Sequence, residues 1–271
     1  QMKWLADNYR ILSLREWMAC GPAGRIPKRS ALVTFDDGYV DNYTRAFPVL
    51  QDLGVPAVFF IPSNLIETRS LGWWDLIAYL LKNTTADSIR FDAERIEVRP
   101  NRKQAIVALQ TRFYGYGIDR VASAIRELSE QCGVEAPTRQ LQDAELMTWE
   151  QIRELHSNGI EIGSHSHNHY VLAALDARTQ AREMEQSKAM LESKLRARVA
   201  SIAYPVGANS CFTGETKAIA RKLGYEAGFS YNTGLNRLSD IDMFDLKRVG
   251  SENRLDGFVA HLMKYYLLNR N

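Results

Sequence analysis

The chain has 271 residues, with 34 basic and 32 acidic side chains and a formal net charge of +2. At 45% hydrophobic and 24% charged residues it has the balance of an ordinary globular protein, which excludes disordered and fibrous classes, and the near-zero charge argues against nucleic acid or an anionic membrane as the main partner. Three scattered cysteines (Cys20, Cys132, Cys211) exclude a disulfide scaffold or Cys-rich zinc module, and no stretch of about 18 apolar residues is present to span a membrane.

The chain opens on Gln1, so upstream residues are expected to be missing, and any signal peptide or anchor would have been lost with them, which weakens its absence as evidence about compartment. Cysteine usage leans towards a reducing, cytoplasmic compartment, with periplasm or cell envelope as the alternative. Ser13 and Glu16 have capping-box spacing for a short first helix, which Gly21-Pro22 ends. Residues 31–35 form a compact β-type run that stops at Asp36-Asp37-Gly38. Residues 41–53 read as a helix closed by Gly54, which Pro48 must kink or shift. The nearly continuous apolar run 57–61 has the pattern of a strand buried on both faces. Strand, helix and strand at this spacing make a βαβ unit and favour a parallel sheet.

Residues from about 67 to 145 break that rhythm, with helix-like runs around 75–82, 103–113 and 118–132. They read as a mostly helical insertion in one domain spanning 1–271, because the βα pattern resumes after them. Thr148 and Gln151 have capping-box spacing, and residues 160–163 form a short strand running into a histidine cluster. Asp176 caps a long helix with Ala177, Ala181, Met184, Leu191 and Leu195 on one stripe. A strand at 199–204 ends at Pro205-Val206-Gly207, a helix runs to Leu223, strands follow at 226–230 and 245–249, and a helix closes the chain at about 256–268. This is the element order of an α/β barrel whose chemistry sits in the loops after the strands.

Three polar clusters stand at the predicted carboxyl ends of three strands: Asp36-Asp37, the run from His165 to His169, and Tyr204-Pro205-Val206-Gly207. Three of the five histidines fall in the second cluster. His165 and His169 are four apart, so on a helical turn both imidazoles project from one face and can share a metal. A carboxylate from elsewhere completes such a site, and Asp37 is the best candidate. Capping of a helix by adjacent polar residues is the plainer explanation of an isolated pair, but a strand-terminal Asp-Asp pair in the same chain favours the metal. Adjacent carboxylates repel unless a cation or proton compensates, so Asp37 is expected to bind the metal and Asp36 to take a proton from water beside it. His167 is expected to point elsewhere.

Thr34-Phe35-Asp36-Asp37-Gly38-Tyr39, His165-Ser166-His167-Asn168-His169 and Ala203-Tyr204-Pro205-Val206-Gly207 together resemble the first three motifs of the polysaccharide deacetylases, carbohydrate esterase family 4, the NodB-homology domain. The resemblance covers roughly residues 30–249 outside the insertion. It implies a distorted (β/α)7 barrel and hydrolysis of N-acetyl groups from a bacterial polysaccharide or glycan precursor. It also implies Asp36 as catalytic base and Asp37, His165 and His169 as ligands of a divalent metal, zinc by the family's habit, with cobalt or nickel as alternatives. The backbone N–H of Val206 takes the oxyanion-donor position, and Tyr39, Tyr204 and Pro205 are candidate substrate contacts.

The chain also departs from the family. Its third motif begins with Ala203 where the family has the arginine that orients the base, and Arg248, at the end of a later strand, is the candidate replacement. The fourth motif is not recognisable in 232–245. The fifth, which supplies the general acid, lacks its usual strand context; His261 falls mid-helix, and His167, water or an upstream group are the candidate donors. Trp73 and Trp74 either stack on a sugar or pack the insertion against the barrel. Two other readings compete: hydrolysis of a different amide on the same fold, and a catalytically silent carbohydrate-binding domain. The oligomeric state has no signal in the sequence.

Overall fold

The computed structural model describes residues 1–20 and 26–268. Among these, six strands form one all-parallel sheet: β1 (Thr34–Phe35), β2 (Val58–Ile61), β3 (Glu161–Ser164), β4 (Ser201–Ala203), β5 (Ala227–Thr233) and β6 (Leu246–Arg248). Their spatial order repeats their order in the chain, so each crossover advances the sheet by one strand, as in a barrel. A short segment, Arg10–Ile11, adds a further parallel pairing with Ser30–Ala31 just upstream of β1.

The sheet is curled. Phe60 on β2 and Phe229 on β5 lie three strand spacings apart, roughly 14 Å in a flat sheet. Their ring centroids nevertheless stand 5.1 Å apart across the concave face. Gly163 on β3 makes room for this contact, because a Cβ there would meet the Phe60 ring at 2.4 Å. Val58, Ala203, Ala227 and Leu246 fill the rest of the interior, and Leu12, Leu14 and Trp17 join the same cluster. The helix Leu14–Cys20 is fixed at the amino end of the strands by Glu161, whose carboxylate accepts from the N–H groups of Leu14 (2.7 Å) and Arg15 (3.1 Å). Its predicted Ser13–Glu16 capping box is formed. Gly21-Pro22, expected to end it, lies outside the described residues.

The convex face packs on the crossover helices through Phe59, Ile61, Ile162 and Ile202, all nearly or fully buried. Each such side chain contributes about 1.5–3 kcal/mol. The helix expected over 41–53 is present with a wide π turn at Asn42–Ala46 before the α-helix Phe47–Leu53. Pro48 explains the shift, since it has no N–H to donate and its ring crowds the carbonyl four residues back. The helix Met2–Asn8 gave no signal in the sequence, and no side chain caps its start.

The insertion is helical as expected, with Trp73–Asn83, Arg102–Phe113 and Ile118–Cys132 packed around their own apolar cluster. It also carries a hairpin, Ser88–Phe91 with Glu94–Glu97, that the sequence reading missed. Its turn residues Asp92 and Ala93 both have positive φ, where an Asn-Gly or Asp-Gly pair would have announced it. On the long helix Ala177–Leu195 the expected Met184 and Leu191 are buried, but the stripe around them is rotated from expectation. Ala177 is exposed, and the buried stripe is Gln180, Glu183, Met184, Ser187 and Leu191. The three polar members face inward because each is bonded there: Gln180 to Leu175 O and Thr216 Oγ1, Glu183 to Asn168 of the histidine loop, and Ser187 to Ser164 at the end of β3. No described helix is long and apolar enough to cross a membrane.

Candidate metal and catalytic site

The three polar clusters converge at the carboxyl ends of β1, β3 and β4. After β1, Gly38 N–H bonds back to Asp36 O at 2.9 Å, which makes Asp37 the centre of a tight turn with φ 70°. After β4 the same device recurs: Gly207 N–H bonds to Pro205 O at 2.6 Å around Val206, φ 62°. Aspartate tolerates this left-handed region, but a β-branched valine is strained in it. Ser166 and His169 also have positive φ, 58° and 59°. Such strain persists only where surrounding contacts over-determine it, and it clusters at functional sites.

The histidine segment is not the helical turn expected. Residues 165–170 form an irregular loop, and two left-handed residues, rather than helical periodicity, turn both rings inward. The result is still convergence. His165 Nε2 lies 3.3 Å and His169 Nε2 3.2 Å from the same Asp37 oxygen, and the two nitrogens are 3.2 Å apart. His165 Nδ1 pairs with the carbonyl of Ala203 at 2.8 Å, which leaves the Nε2 lone pair directed at the cluster. The three donor atoms fit a divalent cation: ligands about 2.0–2.1 Å from a tetrahedral ion stand about 3.3 Å from one another.

The electrostatics agree. Burial opposes ionisation of Asp37, but the hydrogen bonds and charges of His165 and His169 outweigh it and hold the carboxyl well below the usual range. Burial lowers His169, with the neighbouring His165 adding to the effect. For His165, burial is outweighed by the charges of Asp36 and Asp37, which raise it.

Asp36 lies beside this cluster, with Oδ2 4.0 Å from His165 Nε2. Arg248 clamps it fork to fork, Nη1 to Oδ1 and Nη2 to Oδ2 at 2.8 Å each. The guanidinium is fixed in turn by Ser230 O at 2.8 Å and by Thr34 Oγ1 at 3.3 Å. A cation from β6 therefore stands where the Ala203 side chain cannot supply one. Ala203 itself is fully buried in the barrel interior.

Tyr39 donates to Asp75 Oδ2 at 2.8 Å and accepts from Trp74 Nε1 at 2.6 Å. Burial, with the charge of Asp37 adding, pushes Asp75 up to about 6. Two expected substrate contacts are corrected. Tyr204 is fully buried, stacks on Phe212 and donates to Phe244 O, and Pro205 is buried as well, so neither side chain faces an open site. Strand alternation turns Tyr204 into the convex core. His167 pairs with Ser63 Oγ at 2.8 Å, and His261, on the last helix, pairs at 3.1 Å with Glu252 just before that helix.

The polysaccharide deacetylase family model matches residues 23–228. The chain belongs to the polysaccharide deacetylase family. Bacillus subtilis YxkH is 26% identical over 250 residues, covering 92% of this chain and 61% of that protein. The chain thus spans less than two thirds of that relative's length. The poly-beta-1,6-N-acetyl-D-glucosamine N-deacetylase of Staphylococcus epidermidis is 39% identical over 71 residues, 26% of this chain and 25% of that one. Streptococcus pyogenes deacetylase PplD, solved in complex with acetate, superposes with a TM-score of 0.63 over 97% of this chain and 82% of that chain at 19% identity, which establishes the distorted barrel.

Sequence reasoning missed Glu183 and Asp75, and of the two readings it gave for Trp74 the ring contact with His169 favours packing against the site. Glu183, buried on the long helix, accepts from Asn168 N (2.8 Å) and Asn168 Nδ2 (2.6 Å) and so anchors the histidine loop. No signal in the sequence marked Glu183, because the apolar stripe read from the sequence does not include position 183.

Proposed function

We propose that this chain is a metal-dependent hydrolase that removes N-acetyl groups from an N-acetylglucosamine polymer, with residues 1–271 acting as one catalytic domain. The observation that carries the reading is the Arg248-clamped carboxylate of Asp36 beside the Asp37–His165–His169 cluster, since a binding module has no use for a second, oriented carboxylate there. Near-tetrahedral spacing of two imidazole nitrogens and one carboxylate oxygen favours zinc as the ion. When bound, a divalent ion supplies Lewis acidity, polarising an acetamide carbonyl and lowering the pKa of water from 15.7 towards about 7.

The chain's own residues do the rest. Asp36 Oδ2 accepts the proton of the attacking water, and Arg248 holds its carboxylate plane during the transfer. The strained turn at Val206 directs its backbone N–H towards the oxygen on which negative charge develops. The carboxyl formed at Asp36 returns the proton to the departing amine, so acetate and a free amino sugar leave. No other described group is assigned as acid. The activity of the Staphylococcus epidermidis relative supports β-1,6-linked N-acetylglucosamine as the first substrate to try.

Acetate release from β-1,6- and β-1,4-linked N-acetylglucosamine oligomers and from peptidoglycan, with added Zn²⁺, Co²⁺ or Ni²⁺, tests this. Metal-dependent release that Asp36→Asn abolishes is expected; stoichiometric metal without acetate from any of these glycans overturns it.

A further inference from the structure

The insertion contributes more to the site than a wall. At His169, the ligand in the left-handed backbone region, Nδ1 is buried and has no hydrogen-bond partner among the described residues. A metal-binding histidine ordinarily donates its second N–H to an acceptor that fixes ring and tautomer, as His165 does to Ala203 O. His169 is held differently. The indole of Trp74 lies against its imidazole, centroids 4.0 Å apart and planes 44° apart. Trp73 Nε1 donates to the His169 backbone carbonyl at 3.1 Å, and Ser166 Oγ accepts its N–H at 3.0 Å. Trp74 is itself fixed, because its Nε1 donates to the Tyr39 hydroxyl, which in turn donates to Asp75 on the same first turn of the insertion helix. Trp73 is anchored in the insertion core, stacked on Phe113 at 5.5 Å.

We infer that Trp73 and Trp74 are positioning residues for the metal ligand His169: the insertion grips its ring and its strained backbone where a hydrogen-bond acceptor is missing. The two tryptophans thereby tie metal affinity to the folding of the insertion. This rests on the triad being the metal site.

The experiment uses the full chain and the metals alone. Zn²⁺ affinity is measured by chelator competition, and the Co²⁺ visible spectrum reports ligand geometry. Trp74→Leu is expected to weaken Zn²⁺ binding about 10- to 100-fold, the range for losing a ligand's support, and to shift the Co²⁺ bands. Trp74→Phe, which keeps an aromatic face on His169, is expected to restore most of the affinity. A Trp74→Leu protein that binds Zn²⁺ as wild type does, with an unchanged Co²⁺ spectrum, overturns the inference even if its melting temperature falls. Should that variant not fold, Trp73→Phe decides, since it keeps the packed ring and removes only the bond to His169 O; unchanged affinity and spectrum overturn it again. Asp37→Ala separates the two readings. If it binds Zn²⁺ like wild type, the triad is not the metal site and the underlying reading fails; if it loses the metal, the tryptophan variants test the grip alone.

Discussion

Arg248 offers the sharpest test of the catalytic arrangement. Its fork makes two 2.8 Å bonds to Asp36, and the two side chains are 12% and 22% exposed. A charge-assisted hydrogen bond contributes about 1.5–3 kcal/mol, and the remaining solvent contact puts this pair at the lower end. About 2–4 kcal/mol of orientation is then at stake, equivalent to about a 30- to 1000-fold loss in kcat/KM if it is expressed in the transition state. Arg248→Met should show that loss in an acetate-release assay while Zn²⁺ stoichiometry stays at wild type. Arg248→Lys should recover only part of it, because an ammonium is a point charge and cannot span both oxygens. The double variant Asp36→Asn/Arg248→Met should be no slower than Asp36→Asn alone, since the arginine acts through the carboxylate. A Met variant within threefold of wild type, set beside an inactive Asp36→Asn, would refute the assignment.

Restoring the family's arginine in the third motif by Ala203→Arg should fail: position 203 is fully buried in the barrel interior, and an unpaired charge there costs about 3–5 kcal/mol, read as a lowered melting temperature. Tyr204→Phe should lose about 1–2 kcal/mol in chemical denaturation through the bond to Phe244 O, while KM stays unchanged; a raised KM would return Tyr204 to the substrate site. Asp75 has a folded pKa near 6 against an ordinary value of 3.8, so folding favours its protonated form. Its ionisation penalty is absent below about pH 4 and grows to about 3 kcal/mol above pH 6. Asp75→Asn should therefore stabilise the metal-free protein at pH 7.5 and much less at pH 4, and equal melting-temperature shifts at both would contradict the assigned burial.

Much of this protein was legible from local rules. Ser13–Glu16, Thr148–Gln151 and Asp176 marked helix starts because capping is a contact within one turn. The apolar run at Val58–Ile61 marked a central strand because burial on both faces leaves no alternation. Asp36, Asp37, His165 and His169 stood out because strand ends in a parallel sheet share one edge. The stripe of the long helix was misjudged because Gln180, Glu183 and Ser187 are buried by partners far along the chain, which no periodicity encodes.

The sequence by itself determined the succession of βα units, the edge on which the chemistry gathers and the donor atoms available for a metal. Only the tertiary structure decided that Arg248 closes on Asp36 across 212 residues, that Tyr204 turns into the core, and that an insertion helix grips His169. Pattern and spacing report what a residue does within a turn or a strand. Which distant groups meet is fixed by the curl of the sheet and the packing of its loops, and those follow from the whole chain at once.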